Sequence, residues 1–556
     1  MMLGLFSQFD FTLAGISPAW LWCMLAFISL WVVELFFVQK TTLISVQDSS
    51  ERFLRWAPRL RLMLDVFFVV AVSMFLSRPW LLGLSAIVFL VHMGLISHYQ
   101  YFLRPLSALS LFHNWREGVK TGGYTFGVRL TRLTWVLVLI LTLKVVVLLA
   151  MPVAPGVSDW LIDGIGLVAL LGYLALAAAA SYVDPLDKIR TTRGFGRLGV
   201  IRGYFITWLA ECCYLGRHEV LAGAKRQREI VHDRLTPIET PVSIHRRLII
   251  IQAESLDFNV LGYEANGQHV TPFLNRLREQ SLFYRIAAAR YIGSADADFV
   301  MLSGVMPSTR IITYNIPNYP YENTLPQFLA RHGYRTAAFH GNTGNFYNRR
   351  NAFKKMDFSE IHFWEELASR DGLPTRNWGV DDRDVLEFSA RRLQAMPDPV
   401  CHFIITLTTH TPYTLIPTTE REIFAKPQSM AQDYLNNMRY LDNLLRDYIG
   451  SLKSATVVIY SDHSADPAMA PEFKPHWDGL QEFVPCFIYN TDEDLGAQQR
   501  TRGQPIATDG TLTLLDITTF LRGQVAATNG VALAASTPEL NPISSPSAAP
   551  PELGKS

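Results

Sequence analysis

The apolar residues of this chain are unevenly spread, and their distribution limits what it can fold into more than any other feature. Hydrophobic residues fill 49% of the 556 positions and charged residues 18%, with the apolar excess lying before about residue 185. Residues 18–38 form an apolar stretch of about twenty, long enough to cross a bilayer as a helix. Stretches at about 62–77 and 80–97 follow, with Arg78-Pro79 between them as a hairpin signal. Two more, at about 133–151 and 161–182, complete five expected spans. Residues 1–185 therefore read as a membrane helical bundle. Glu34, Asp65 and Lys144 fall inside these stretches. Charges in a bilayer are costly, and the reading here is structural: each lies near a helix end or pairs with a neighbouring helix.

The segment from Tyr99 to His113 mixes aromatics with charges and suits a helix lying at headgroup level. Residues 186–240 read as a basic, amphipathic linker. From Arg246 apolar strands alternate with amphipathic helices, the pattern of an α/β domain, expected over residues 241–525. The last stretch, 526–556, is rich in Ala, Ser and Pro and reads as a disordered tail. Orientation is contested by two signals. Arg52, Arg55, Arg59 and Arg61, with Lys188, Arg190 and Arg193, place the second half inside by the positive-inside rule. Five spans with an inside amino terminus place it outside.

Other global features narrow the function by exclusion. A net charge of +1 and no long basic run give no support to a nucleic-acid partner. The five cysteines, Cys23, Cys212, Cys213, Cys401 and Cys486, have no metal-site spacing and read as free thiols. The first fifteen residues lack the positive region of a cleavable signal.

The second half carries the chemistry. The run Leu248-Ile-Ile-Ile-Gln252 is a strand pattern with Glu254 just beyond it, and Thr456-Val-Val-Ile-Tyr460 is another, followed by Asp462-His463. Open α/β sheets place ligands at strand carboxyl ends, and carboxylate plus imidazole suits a divalent cation. Each also has a plain reading, as a solvated or capping acid and a surface histidine. Ser294 lies in Gly293-Ser-Ala at an expected helix start, where it caps the helix or meets an oxyanion.

Read together, these blocks occur in a set order: Glu254-Ser, Val270-Thr-Pro-Phe-Leu-Asn275, Ser294-Ala-Asp-Ala-Asp-Phe299, Thr336-Ala-Ala-Phe-His-Gly-Asn342, Phe346-Tyr-Asn-Arg349, Thr409-His-Thr-Pro412 and Ser461-Asp-His463. From about 246 to 520 the chain resembles the lipoteichoic acid synthase family, membrane phosphoglycerol transferases of the alkaline phosphatase–sulfatase superfamily. The resemblance implies a five-span bundle followed by an alkaline phosphatase/sulfatase-like α/β domain with a central mixed sheet.

It also implies roles. Glu254, Asp462 and His463, with Ser294, would hold one Mn2+ or Mg2+ ion, and Ser294 would be the nucleophile, where the synthases carry threonine. His340, Tyr347, Arg349 and His410 would line the substrate pocket, with Tyr347 replacing a tryptophan. His476 is a further substrate-side candidate, and Asp296 and Asp298 read as helix-start carboxylates favoured by the dipole. The implied function is transfer of a phospholipid headgroup, phosphoglycerol or phosphoethanolamine. The donor would be phosphatidylglycerol and the acceptor an envelope glycan or glycolipid, on the outer side of a bacterial inner membrane. Two rival functions stay open: a phosphodiesterase or phosphatase using the same site, and a non-catalytic envelope scaffold.

Overall fold

The computed structural model describes residues 18–42, 52–102, 132–152, 159–183 and 242–528, with short gaps inside the last segment. Most of the expected headgroup-level helix, the 186–240 linker, Cys212-Cys213 and the tail beyond Thr528 lie outside these residues.

The first half is helical: α1 Pro18–Thr42, α2 Arg52–Phe75, α3 Arg78–Phe102, α4 Arg132–Ala150 and α5 Asp159–Val183. Helix α1 packs on α2, α3 and α4, and α2 packs along α5. Each helix coincides with one expected span. By length and composition, however, only Ala19–Val38 and Arg78–Ile96 are long and apolar enough to cross a membrane among the described residues. Leu62–Phe75, Trp135–Ala150 and Asp163–Leu176 are apolar but shorter.

The described part of the bundle exposes apolar side chains and buries several polar ones. Trp22, Phe36, Leu90, Leu139, Leu149 and Val168 are exposed, whereas Glu34, His92 and Lys144 are buried. Lys144 Nζ donates to Glu34 Oε2, His92 Nδ1 lies 2.7 Å from Glu34 Oε1, and Lys144 sits 5.0 Å from the centre of the Trp31 ring. The expected pairing between helices is thus present for Glu34 and Lys144.

The second half is an α/β unit. Its elements are β1 Arg247–Ala253, α6 Pro272–Gln280, β2 Leu282–Ala287, α7 Ala295–Ser303, α8 Leu325–Arg331, β3 Arg335–His340, α9 Arg349–Lys355 and β4 Glu360–His362. They continue with α10 Asp382–Ala395, β5 Val400–Ile405, α11 Met430–Gly450, β6 Ala455–Ser461, β7 Trp477–Asp478, β8 Gln481–Asn490, α12 Leu495–Thr501 and α13 Leu514–Thr528. The eight-stranded sheet runs β7–β8–β6–β1–β5–β3–β4, with β2 also pairing β8. Strands β6, β1, β5, β3 and β4 are parallel, and β8 is antiparallel to β6 and β2, so the sheet is mixed.

The continuous apolar run of β1 follows from its central place. Leu248 and Ile250 enter one core and Ile249 and Ile251 the other, so both faces of the strand are buried. Cys401 and Cys486 are buried free thiols, as expected.

Candidate active site

The two strand-end signals meet because their strands are neighbours. In the parallel register Ala253 pairs with Ser461, so Glu254 and Asp462 leave the sheet side by side. Ser255 adopts a left-handed φ of 52°, which turns the chain sharply at the strand end. Its N–H donates to Asp462 Oδ1 at 2.9 Å, and so does the His463 N–H at 2.9 Å. Glu254 is fixed from the β5 side, where its N–H donates to Thr406 Oγ1 at 2.9 Å and Thr409 Oγ1 donates to its carbonyl.

Glu254, Asp462 and His463 bring one ligand atom each within 4.8 Å of one another. His463 Nε2 lies 3.1 Å from Glu254 Oε1 and 3.4 Å from Asp462 Oδ2. Its Nδ1 lies 2.8 Å from the Ser464 carbonyl, which places a proton on Nδ1 and leaves Nε2 as the nitrogen that faces the two acids. Asp462 Oδ2 is buried with no hydrogen-bond partner.

The electrostatics agree with this crowding. Burial opposes ionisation of Glu254, yet His463 and His410 hold its carboxyl below the ordinary range. Burial and the Glu254 charge push Asp462 up. Burial and Arg290 work to lower His463, but the two carboxylates win and raise it. Two carboxylates and an imidazole packed this closely form a donor set that suits a shared cation, and one nitrogen with hard oxygens fits a divalent ion.

Ser294 stands at the amino end of α7, but its side chain makes no capping hydrogen bond. The plain reading as a cap is therefore not what the serine does. Preceding it, Gly293 lets the Tyr347 ring approach closely: a Cβ there would lie 2.7 Å from the Tyr347 hydroxyl, so the ring would have to shift. Tyr347 and Asn348 have left-handed φ values of 56° and 61°, a strained turn that seats this ring against the serine loop. Burial pushes the Tyr347 phenol up to about 12, with Asp296 and Glu254 adding to it against Arg349 and Arg290.

Residues 246–518 match the family model described as Sulfatase. This part of the chain is thus sulfatase-like. In sequence it is similar to lipoteichoic acid synthase-like YvgJ of Bacillus subtilis, 26% identical over 251 residues, 43% of this chain and 40% of that protein. It is also similar to the lipoteichoic acid synthase of Staphylococcus saprophyticus, 27% identical over 236 residues, 39% and 36% of the two chains. The chain thus spans about two-fifths of the length of these curated relatives. In fold, 90% of it matches 94% of the integral membrane protein lipooligosaccharide phosphoethanolamine transferase A of Neisseria meningitidis, at TM-score 0.53 and 14% identity.

The sulfatase-like domain gathers most of the expected residues at one end of its sheet. His340 ends β3, His410 lies five residues past β5, and Glu254 and Asp462 each lie one residue past β1 and β6. His340 Nδ1 lies 3.0 Å from the Ile405 carbonyl, and burial beside Arg349 lowers the ring to about 3, so it is neutral and presents Nε2 as an acceptor. His410 Nδ1 is 2.6 Å from the Thr411 carbonyl. Arg349 is buried and lies 5.4 Å from the centre of the Tyr347 ring. His476 is packed differently: it accepts from Arg285 Nε at 2.7 Å and its ring centre is 5.0 Å from that of Phe258.

Several residues escaped sequence reasoning. Asp298 sits in the first turn of α7 as expected, but its partner is Arg349 Nε at 2.6 Å rather than the helix dipole alone. Asp257 accepts from Asn259, Ala465 and His476 N–H groups and from the Ser464 hydroxyl, tying the loop after β1 to the loop after β6. Arg290 and Glu482 join the serine loop to the same place. Their only sequence signal was nearness to a motif.

Proposed function

We propose that this chain is a membrane-bound, divalent-cation-dependent transferase that moves a phospholipid headgroup through Ser294 onto a hydroxyl of an envelope glycan or glycolipid. Glycerol phosphate from phosphatidylglycerol is the favoured headgroup, and phosphoethanolamine the second. The observation that carries this reading is the acid–acid–imidazole cluster at two neighbouring strand ends, in one domain with a helix-start serine that caps nothing. The sulfatase-family match and the names of the relatives support it.

Glu254, Asp462 and His463 would hold the ion, with Mn2+ or Mg2+ suited to the donor set, and Ser294 Oγ as a fourth ligand. Bound there, it would acidify the serine hydroxyl and offset charge on the phosphoryl oxygens. Ser294 Oγ attacks phosphorus as the bond to the diacylglycerol oxygen breaks. The proton lost by the serine is balanced by the one the diacylglycerol hydroxyl gains. An acceptor hydroxyl then attacks the seryl phosphodiester, restores Ser294 and passes its own proton on. Arg349 would steady phosphate oxygens with its charged fork, and neutral His340 would accept from a glycerol hydroxyl.

The apolar helices would keep this site at the headgroup level of a bacterial inner membrane, on the outer side where lipid donors and envelope glycans meet. Incubating the purified protein with headgroup-labelled phosphatidylglycerol and Mn2+, with and without glycan, tests the reading. Labelled glycan and a labelled Ser294 peptide are expected. Free glycerol phosphate with no labelled glycan would make the chain a phosphodiesterase, and no reaction with an intact envelope phenotype for Ser294→Ala would make it a scaffold.

A further inference from the structure

Between the end of β2 and Ser294 the chain passes Arg290, whose side chain is only 16% exposed. Its Nη2 donates to Glu482 Oε1 at 3.1 Å, and its Nε is buried with no hydrogen-bond partner among the described residues. Glu482 is itself buried, and its other oxygen accepts the Ser464 N–H at 3.1 Å, one residue past His463. One carboxylate therefore grips the loop that leads to the serine and the loop that carries His463. The Arg290 charge is felt both at His463 and at Tyr347.

A guanidinium needed only to neutralise Glu482 would not bury a further donor without a partner, because such groups are costly. Five N–H donors in a fixed fork leave Arg290 capacity for an anion after Glu482 is served. Arg349 repeats the design from α9: it is anchored by Asp298 and has Nη2 buried without a partner. A phosphoryl group in transfer spreads its charge over several equatorial oxygens, more than one fork can serve.

We propose that Arg290 is a second anion-binding guanidinium of this site, holding a non-bridging oxygen of the substrate phosphoryl group in addition to the contact from Arg349. The assignment rests on the phosphoryl-transfer reading above. It also gives Glu482 a role, as the residue that positions Arg290 against the His463 loop.

The test is binding of inorganic phosphate to the full-length, Mn2+-loaded protein in detergent, by calorimetry, with Mn2+ affinity measured separately. Arg290→Gln is expected to weaken phosphate about tenfold to a hundredfold, the usual worth of charged hydrogen bonds, and to leave Mn2+ affinity unchanged. Arg290→Lys should recover part of the loss, keeping the charge without the fork. Unchanged phosphate binding in Arg290→Gln overturns the assignment. So does a parallel fall in Mn2+ affinity, which would make Arg290 a brace for the His463 loop. If Arg290→Gln does not fold, Arg290→Lys decides, and binding as tight as the parent overturns it. Arg290-dependent phosphate binding without headgroup transfer sinks the transferase reading alone. Transfer with phosphate binding indifferent to Arg290 sinks this assignment alone.

Discussion

Arg349 donates through Nε to Asp298 Oδ2 at 2.6 Å, and both side chains are buried. The pair locks α9 to the first turn of α7, the helix that Ser294 opens. Burial pushes the Asp298 carboxyl up to about 6 despite the opposing arginine, so the pair is held at a cost. Removing one partner from a buried pair leaves an uncompensated charge, worth about 3–5 kcal/mol. Asp298→Asn should therefore destabilise by that order in a denaturant titration. The double variant Asp298→Asn with Arg349→Met should recover most of the stability and none of the transfer activity. Recovered activity in the double variant would reduce Arg349 to a structural residue.

Ser294 gives a stability test as well as a kinetic one. A serine that caps its helix costs about 1 kcal/mol when replaced by alanine. Ser294 makes no such bond, so Ser294→Ala should change stability by less than about 0.5 kcal/mol while turnover falls at least ~10³-fold. A loss of a full cap with turnover retained would return Ser294 to the role of an ordinary cap. Ser294→Thr keeps the hydroxyl and should keep measurable transfer.

The crowding of Glu254, Asp462 and His463 makes opposite predictions with and without an ion. Metal-free Asp462→Asn should be at least as stable as the metal-free parent, because it relieves repulsion between two buried carboxylates. Adding Mn2+ should raise the melting temperature of the parent, about 2.7 kcal/mol at a hundredfold excess over Kd, and do little for the variant. An equal Mn2+ shift in both would place the ion elsewhere.

Legibility in the sequence followed the physics. Strands β1 and β6 were readable because burial on both faces demands unbroken apolar runs, and Glu254 and Asp462 were readable as strand-end acids because each sits one residue past its strand. The pairing of Asp298 with Arg349, and of Arg290 with Glu482, was not readable. Each joins residues far apart in the chain, and a carboxylate in a first helical turn already has a local explanation in the dipole. The stretches at 62–77, 133–151 and 161–182 do become helices, but among the described residues only Ala19–Val38 and Arg78–Ile96 are long and apolar enough by themselves to cross a membrane.

Within the bundle, Glu34 lies between Lys144 and His92, drawn from α1, α4 and α3. Lys144→Met alone strands the carboxylate and should cost about 3–5 kcal/mol, whereas Lys144→Met with Glu34→Gln should cost far less. Thermal unfolding of the full chain in detergent, followed on the three proteins, checks this. Equal destabilisation by the single and double variants would show that the pair is not a unit.

A pH-dependent contact lies at the far edge of the sheet. Glu360 at the start of β4 accepts from Arg392 Nε at 2.7 Å and Nη2 at 2.5 Å, and His362 Nε2 is 2.9 Å away. The Arg392 bonds, helped by His362 and opposed by partial burial, bring the Glu360 carboxyl down to about 2 from an ordinary 4.5. A lowered carboxylate favours the folded state only while it is ionised. Its contribution is complete above pH 4.5 and fades as the pH falls toward 2. Because the Arg392 side chain is 38% exposed, solvent screening limits the contribution to about 1 kcal/mol. Arg392→Met should thus lower stability by about that amount at pH 7, with the gap to the parent closing as acid is added. A gap that holds constant down to pH 3 would mean that Arg392 contributes through the packing of its methylenes and not through its charge.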